Sequence, residues 1–299
     1  MLIFKKRSRN RRPVLGVVFM LAKMLRLAIK GYSATIGPHA PHWLKWVLRS
    51  WFSLFGFSKI ITQEAEKDTL RFYRNSNIIS HGDLVFDIGA HWGCYTEAFL
   101  ALGARVVAVE PDPSAASKLR MRFGSNPNVA VVEAGAGSKI GEMDLYVGEM
   151  SGIATFSDDF RDMTEKHYKG NYVYKTRAKL TTLDLLIKEH GTPKYCKVDV
   201  EGFEEQVFAG LTGKIAFISF EFHRERLDAA KACAGRLSEL GDATFNYTHF
   251  DPAHLGFCLG EWVDVDKLFK AIKEESSDIA KESGDVNFWR VGDIFARIE

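Results

Sequence analysis

The sequence predicts an α/β domain built on a doubly wound, mostly parallel sheet of seven strands, preceded by a basic, helical N-terminal extension. Three observations carry that expectation. Apolar runs of strand length alternate with helix-favouring stretches over residues 84–134, joined by short connections. The same rhythm returns from residue 182 to the end of the chain. Charge divides the chain as well: residues 1–60 hold twelve of the 40 Lys and Arg and none of the 38 Asp and Glu, so the remainder is net acidic. The expected organisation is an arm over 1–60 and one domain over 61–299.

The arm opens with K-K-R-S-R-N-R-R (Lys5 to Arg12) and Pro13, followed by an apolar run from Val14 to Ala22 that Lys23 ends. That run is too short and too charged at its edges for a spanning helix. No small-x-small cleavage site follows it, so a secretory signal does not fit; an Arg-rich, acid-free start does match a mitochondrial transit segment. Lys23, Arg26 and Lys30 are offset by three and then four residues, one face of a helix, and Trp43, Trp46 and Trp51 follow. Cationic helices with nearby Trp settle at the headgroups of anionic membranes. The expected partner of residues 1–60 is therefore an anionic membrane surface, with the protein cytoplasmic and peripheral to it. Packing of the arm on the main domain stays open. Nucleic acid is disfavoured, because no recognised binding module accompanies the basic run.

From Gln63 to Arg74 the chain favours helix, and H-G-D (His81 to Asp83) breaks it. L-V-F-D-I-G-A (Leu84 to Ala90) is uninterrupted apolar sequence around one Asp, as a strand buried on both faces requires. Thr96 to Leu102 reads as helix closed by Gly103; Arg105 to Glu110 as the second strand; Pro113 to Phe123 as helix; Asn128 to Ala134 as the third strand. Residues 135–182 are less regular, with M-D-L-Y-V and Y-V-Y-K-T-R reading as a hairpin-like insertion. Beyond it come a helix over Thr182 to Lys188, a strand over Tyr195 to Val200 and a short helix over Glu204 to Leu211. A strand over Ala216 to Phe222 and a helix over Arg226 to Leu240 follow. Strands near 243–248 and 293–298 close the sheet, with an amphipathic helix over Lys267 to Lys281 between them.

Composition limits the function classes. At 46% hydrophobic and 26% charged, the 299 residues can bury a full core without staples, which excludes fibrous and wholly disordered classes. The four cysteines (94, 196, 233 and 258) have neither metal-ligand spacing nor the density of a secreted disulfide framework.

Ligands of open α/β sheets sit outside the carboxyl ends of the strands. The first strand ends in D-I-G-A-H-W-G-C-Y-T (Asp87 to Thr96), where Gly89 and Gly93 let the backbone turn sharply and pass close to a ligand. The second ends in Glu110, where an acidic group is placed to hold both hydroxyls of a ribose. The spacing is G-x-x-x-G, not the G-x-G-x-x-G of dinucleotide enzymes, which suits a nucleoside without a pyrophosphate and argues against a nicotinamide-dependent oxidoreductase.

With V-A-V-E-P after it, the D-x-G-A-x-x-G turn resembles that of Rossmann-like class I S-adenosylmethionine-dependent methyltransferases. Y-C-K-V-D-V-E-G-F-E (Tyr195 to Glu204) and I-S-F-E-F-H (Ile218 to His223) resemble the FkbM methyltransferase family more narrowly. The match runs from about Leu84 to Glu225, and His91 departs from it, since the family usually has Asn there. The resemblance implies S-adenosylmethionine as cofactor. It implies that Asp87, Gly89 and Gly93 line the methionine end, with Ala90 and His91 as further contacts in the same turn. Glu110 is expected on the ribose, and Glu133 or Ala134 beside the adenine.

The acceptor side follows from Asp199 and Glu201, and from Glu221 and His223. In each pair the spacing is two, so on extended backbone both members point the same way. A hydroxyl attacking a methyl group must lose its proton as the bond forms, and a carboxylate or imidazole in reach takes it. Asp199 or His223 is expected as that base, with Glu201 and Glu221 orienting the acceptor. Structural roles stay open for each: Glu201 begins a helix, and Glu221 is suited to pairing with a buried cation. The same groups permit, without requiring, a divalent metal. The reading is an O-methyltransferase acting on a sugar or a glycan- or lipid-linked hydroxyl; a non-catalytic, cofactor-binding scaffold at a membrane is the competitor.

Overall fold

Strand formation starts from burial. In the computed structural model, which describes residues 69–148, 154–168, 172–249, 256–283 and 291–299, all five residues of β1 (Leu84–Ile88) are buried. Only a strand covered on both faces accepts so continuous an apolar run. The arm, and every expectation placed on residues 1–60, lies outside the described residues.

Helix α1 (69–76) precedes β1. Then α2 (Cys94–Ala101), β2 (Arg105–Val109), α3 (Pro113–Phe123) and β3 (Val129–Val132) complete the first half. Asp112 starts α3 by accepting from Ser114 N and Ala115 N, with Pro113 fixing the first helical φ. Next come β4 (Gly135–Ala136), β5 (Gly141–Gly148), β6 (Ala154–Thr155), α4 (Asp158–Tyr168) and β7 (Tyr172–Thr181). Helix α5 (Leu183–His190), capped by Thr182, leads into β8 (Tyr195–Val198) and α6 (Glu204–Ala209). The chain ends with β9 (Phe217–His223), α7 (Leu227–Ser238), β10 (Ala243–His249), α8 (Val265–Ser283) and β11 (Val291–Ile298).

The main sheet has the order β10-β11-β9-β8-β1-β2-β3. Strands β3, β2, β1, β8 and β9 are parallel, and β11 enters antiparallel between β9 and β10. Alternation divides β1 between two cores. Leu84, Phe86 and Ile88 pack toward α5, α6 and α7, whereas Val85 packs with Tyr73, Phe99 and Tyr195. Among the described residues no helix is long and apolar enough to cross a membrane.

Residues 135–182 hold more than a hairpin. They form a second sheet, β4-β7-β5-β6, in which β4 pairs parallel with β7, and they include α4. The chain builds β2 and β3 on one side of β1 and then crosses to build β8 and β9 on the other. Strand order therefore reverses between β1 and β8, which places the site at their carboxyl ends.

Candidate active site

The turn leaving β1 is set by backbone hydrogen bonds. Gly89 N and Ala90 N both donate to the Val109 carbonyl, at 2.9 and 3.0 Å, and Gly93 N donates to the Ala90 carbonyl at 2.7 Å. Gly89 and Gly93 both have φ of +83°, a region that side chains disfavour. The space each glycine vacates belongs to protein. A Cβ on Gly89 would meet the Asp199 carbonyl, and one on Gly93 would meet the Phe123 and Leu119 side chains of α3. The expectation of room for a ligand is corrected at Gly93, which lets α3 close on the turn and is not among the cavity-lining residues; Gly89 lets β1 and β8 close on one another and still lines the cavity. Asp87 is buried and accepts from Thr96 Oγ1 at 2.6 Å, pinning the start of α2.

Glu110 directly follows β2 and is almost fully buried. Its Oε2 accepts from His91 N at 2.7 Å and its Oε1 from Asp112 N at 2.9 Å. Burial pushes its carboxyl up to about 7 against the lowering effect of those two amides. A carboxylate has about four acceptor positions. Two are filled by the amides, so the rest remain for hydroxyl donors.

Around Glu110 lies a cavity of about 580 Å³, within the range of small-molecule sites. The β1 turn, Asp112 and Ala134 line one part, and Asp199, Glu201 and Glu221 another. The second sheet forms a third wall with Val147, Phe156 and Tyr174. Tyr174 donates its hydroxyl to Asp112 Oδ1 at 2.9 Å, tying β7 to the start of α3. Trp92 stacks on His91 with ring centroids 4.5 Å apart, and Lys118 Nζ lies 4.3 Å from the Trp92 centroid. Burial and the Lys118 charge lower the His91 imidazole below its usual range.

The acidic wall is organised by one buried cation. Lys197, 1% exposed, donates to Asp199 Oδ2 at 2.6 Å and sits 4.1 Å from the Tyr95 ring centroid. Glu201 holds φ of +54°, and its carbonyl accepts from Thr155 Oγ1 at 2.7 Å. Burial, then the neighbouring carboxylates, raise both Glu201 and Glu221 above the usual range. His223 Nε2 lies 3.0 Å from Glu221 Oε2, with its ring edge-on to Phe160.

Of the residues expected from sequence, Gly89, Ala90, His91, Glu110, Asp199, Glu201 and Glu221 line the cavity. Asp87, Gly93, Glu133 and His223 are not among its lining residues. Glu133 turns to the surface and pairs with Arg120, so Ala134 takes the wall position that the two shared. His223 stands behind Glu221, so of the two expected bases only Asp199 lines the cavity. Sequence reasoning missed Lys197 and Tyr174. The Lys within the apolar run Y-C-K-V was a usable signal, because a buried Lys requires a carboxylate; nothing in the insertion marked Tyr174.

A family model described as the methyltransferase FkbM domain matches residues 87–247. No protein of curated function matches the chain. Among solved structures, the fold is similar to precorrin-6y C5,15-methyltransferase from Geobacter metallireducens (14% identity, 79% of this chain and 89% of that one, TM-score 0.38). A TehB-like SAM-dependent methyltransferase from Corynebacterium glutamicum is similar at 10% identity, covering 82% and 97%, with TM-score 0.40. Fibrillarin from Aeropyrum pernix, with natively bound S-adenosyl-L-methionine, is similar at 10% identity, covering 73% and 67%, with TM-score 0.36.

Proposed function

Because the chain belongs to the FkbM methyltransferase family, we propose that it moves a methyl group from its cofactor, S-adenosylmethionine, to a hydroxyl of a sugar or of a glycan- or lipid-linked acceptor. The observation that carries the hydroxyl reading is the acidic wall: Asp199, Glu201 and Glu221 open into the same cavity as Glu110. The family match sets aside the nicotinamide reading.

The residues present fit the cofactor. Glu110 keeps acceptor positions for the ribose hydroxyls, Ala134 offers an apolar wall to the adenine, and the β1 turn offers backbone to the methionine end. The cofactor, when bound, supplies a methyl group on a positively charged sulfur. Tyr174 and Phe156 offer an aromatic wall to the same cavity. Asp199 would take the acceptor's proton as the new O–C bond forms and the methyl–sulfur bond breaks, the leaving group being the neutral thioether S-adenosylhomocysteine. Lys197 fixes the orientation of the Asp199 carboxylate. Glu201 and Glu221 hold the acceptor's remaining hydroxyls. Residues 1–60 belong to the same proposal, since their basic face and three Trp suit an anionic membrane surface carrying such an acceptor.

The deciding experiment incubates the full chain with methyl-labelled S-adenosylmethionine and fractionated glycans and lipids. Label is expected in an alkali-stable ether of a hydroxyl-bearing fraction. Label recovered only on nitrogen or carbon would overturn the O-methyl reading and leave the family assignment standing.

A further inference from the structure

Strand β9 carries Glu221 and His223 on one face, and the left-handed turn after β8 brings Glu201 against them. One ligand atom from each of the three lies within 4.8 Å of the others. The Glu221–His223 separation of 3.0 Å is already that of neighbouring ligands on one ion. The Glu201 backbone is clamped through Thr155, and the His223 ring rests on Phe160, so two of the three donors are held from outside the cluster.

The charges around the trio do not balance among the described residues. Lys197 is committed to Asp199 and lies among Asp87 and Asp293 as well. Arg226 donates to the Gly202 carbonyl at 3.1 Å. His223 contacts Glu221, and among the described residues no hydrogen bond or ion pair reaches the Glu201 carboxylate. Two half-buried carboxylates facing one space repel each other unless a proton or a cation stands between them. Burial raises both acids first; the Glu221 charge then raises Glu201, and the Asp199 charge raises Glu221. Both also line the cavity, so an ion held there would keep coordination positions open toward a ligand.

We infer that Glu201, Glu221 and His223 form a binding site for one hard divalent cation of the Mn²⁺ or Mg²⁺ type. The two carboxylate oxygens suit such an ion, the imidazole nitrogen favours Mn²⁺ over Mg²⁺ within that class, and the absence of thiolate gives no preference for Cu(I) or an iron–sulfur cluster. The open positions take water or adjacent hydroxyls of the acceptor, and a hydroxyl on the ion loses its proton more readily than a free one. This inference rests on the hydroxyl-transfer reading for its purpose, but not for its test.

The test is a titration of Mn²⁺ into the full chain, read as loss of the free six-line electron paramagnetic resonance signal. One bound ion per chain is expected. Glu201→Gln and Glu221→Gln are each expected to weaken it by roughly 10–100-fold, and calorimetric binding of S-adenosylhomocysteine shows that each variant is folded. An undiminished free signal with the unsubstituted chain overturns the site, as does binding that neither variant weakens. Mn²⁺ bound without heat from S-adenosylhomocysteine would sink the transferase reading and keep the metal site. The reverse result would sink the metal site and keep the transferase.

Discussion

A side-chain carbon on Gly89 would lie 1.7 Å from the backbone carbonyl oxygen of Asp199. The turn proposed to cradle the cofactor and the strand end that carries the proposed base are thus pressed together at a point where only a hydrogen fits. Gly82 shares the left-handed backbone, with φ of +87°, but has nothing within 4 Å of an added Cβ. Gly82→Ala is expected to cost about 1–2 kcal/mol of backbone strain. Gly89→Ala carries the same strain and must also displace Asp199, for a loss above about 4 kcal/mol and no cofactor binding. Urea unfolding midpoints and calorimetry with S-adenosylhomocysteine check both; equal losses at the two positions would refute the contact.

Lys197 and Asp199 separate stability from chemistry. Lys197→Met leaves the buried Asp87 and the partly buried Asp199 and Asp293 without their shared cation, at a cost of about 3–5 kcal/mol, most of it from Asp87. Asp199→Asn keeps a polar partner for Lys197 and is expected to hold fold and cofactor affinity while turnover falls by roughly 10²–10⁴. A scaffold has no turnover to lose, so labelled-methyl transfer by the unsubstituted chain, abolished in Asp199→Asn, decides against that competitor.

The parallel half of the sheet and the β1 turn were legible because burial on two faces forces Leu84 to Ile88 and Arg105 to Val109 into unmistakable apolar runs. The second sheet was not. Strand β7 exposes Val173, Tyr174 and Lys175 in succession, so its period of two is lost, and α4 (DDFRDMTEKHY) is too polar to show a buried stripe. Glu133 and Ala134 could not be told apart in sequence because only the turn after β3 decides which of them faces inward. His223 shares its strand face with Glu221, as the spacing required, yet the end of β9 carries it past the cavity wall.

Tyr174 tethers the second sheet to the start of α3, beside the proposed cofactor wall, through Asp112 Oδ1. Tyr174 is 45% exposed, so losing that bond costs only about 0.5–1.5 kcal/mol. Tyr174→Phe is expected to raise the KM for S-adenosylmethionine by roughly 2–10-fold, with the melting temperature and kcat little changed. A lowered kcat at unchanged KM would place Tyr174 on the acceptor side instead.

For the arm, the membrane proposal rests on the spacing of Lys23, Arg26 and Lys30, three and then four residues apart. Each basic side chain near an anionic bilayer contributes about 1 kcal/mol. Full-length protein carrying Lys23→Glu, Arg26→Glu and Lys30→Glu should therefore lose sedimentation with phosphatidylserine vesicles at low salt, while its affinity for S-adenosylhomocysteine stays unchanged. Failure of the unsubstituted chain to sediment would end the membrane reading.

Glu110 makes the cofactor site sensitive to pH. Its carboxyl titrates at about 7 because burial disfavours the charge. Ribose hydroxyls donate best to the ionised form, so a bound cofactor favours that form and pulls the pKa down. Between the lowered pKa of the complex and about 7, binding must expel a proton, and affinity falls as pH falls, by up to about tenfold per unit. Above about 7 the carboxylate is already ionised, and this source of pH dependence ends. Calorimetry with S-adenosylhomocysteine in buffers of different ionisation enthalpy is expected to show proton release at pH 6.5 that fades by about pH 8. Glu110→Gln should bind roughly 10–100-fold more weakly and release no proton. The same acid-side slope in that variant would assign the titration to another group and take Glu110 away from the ribose.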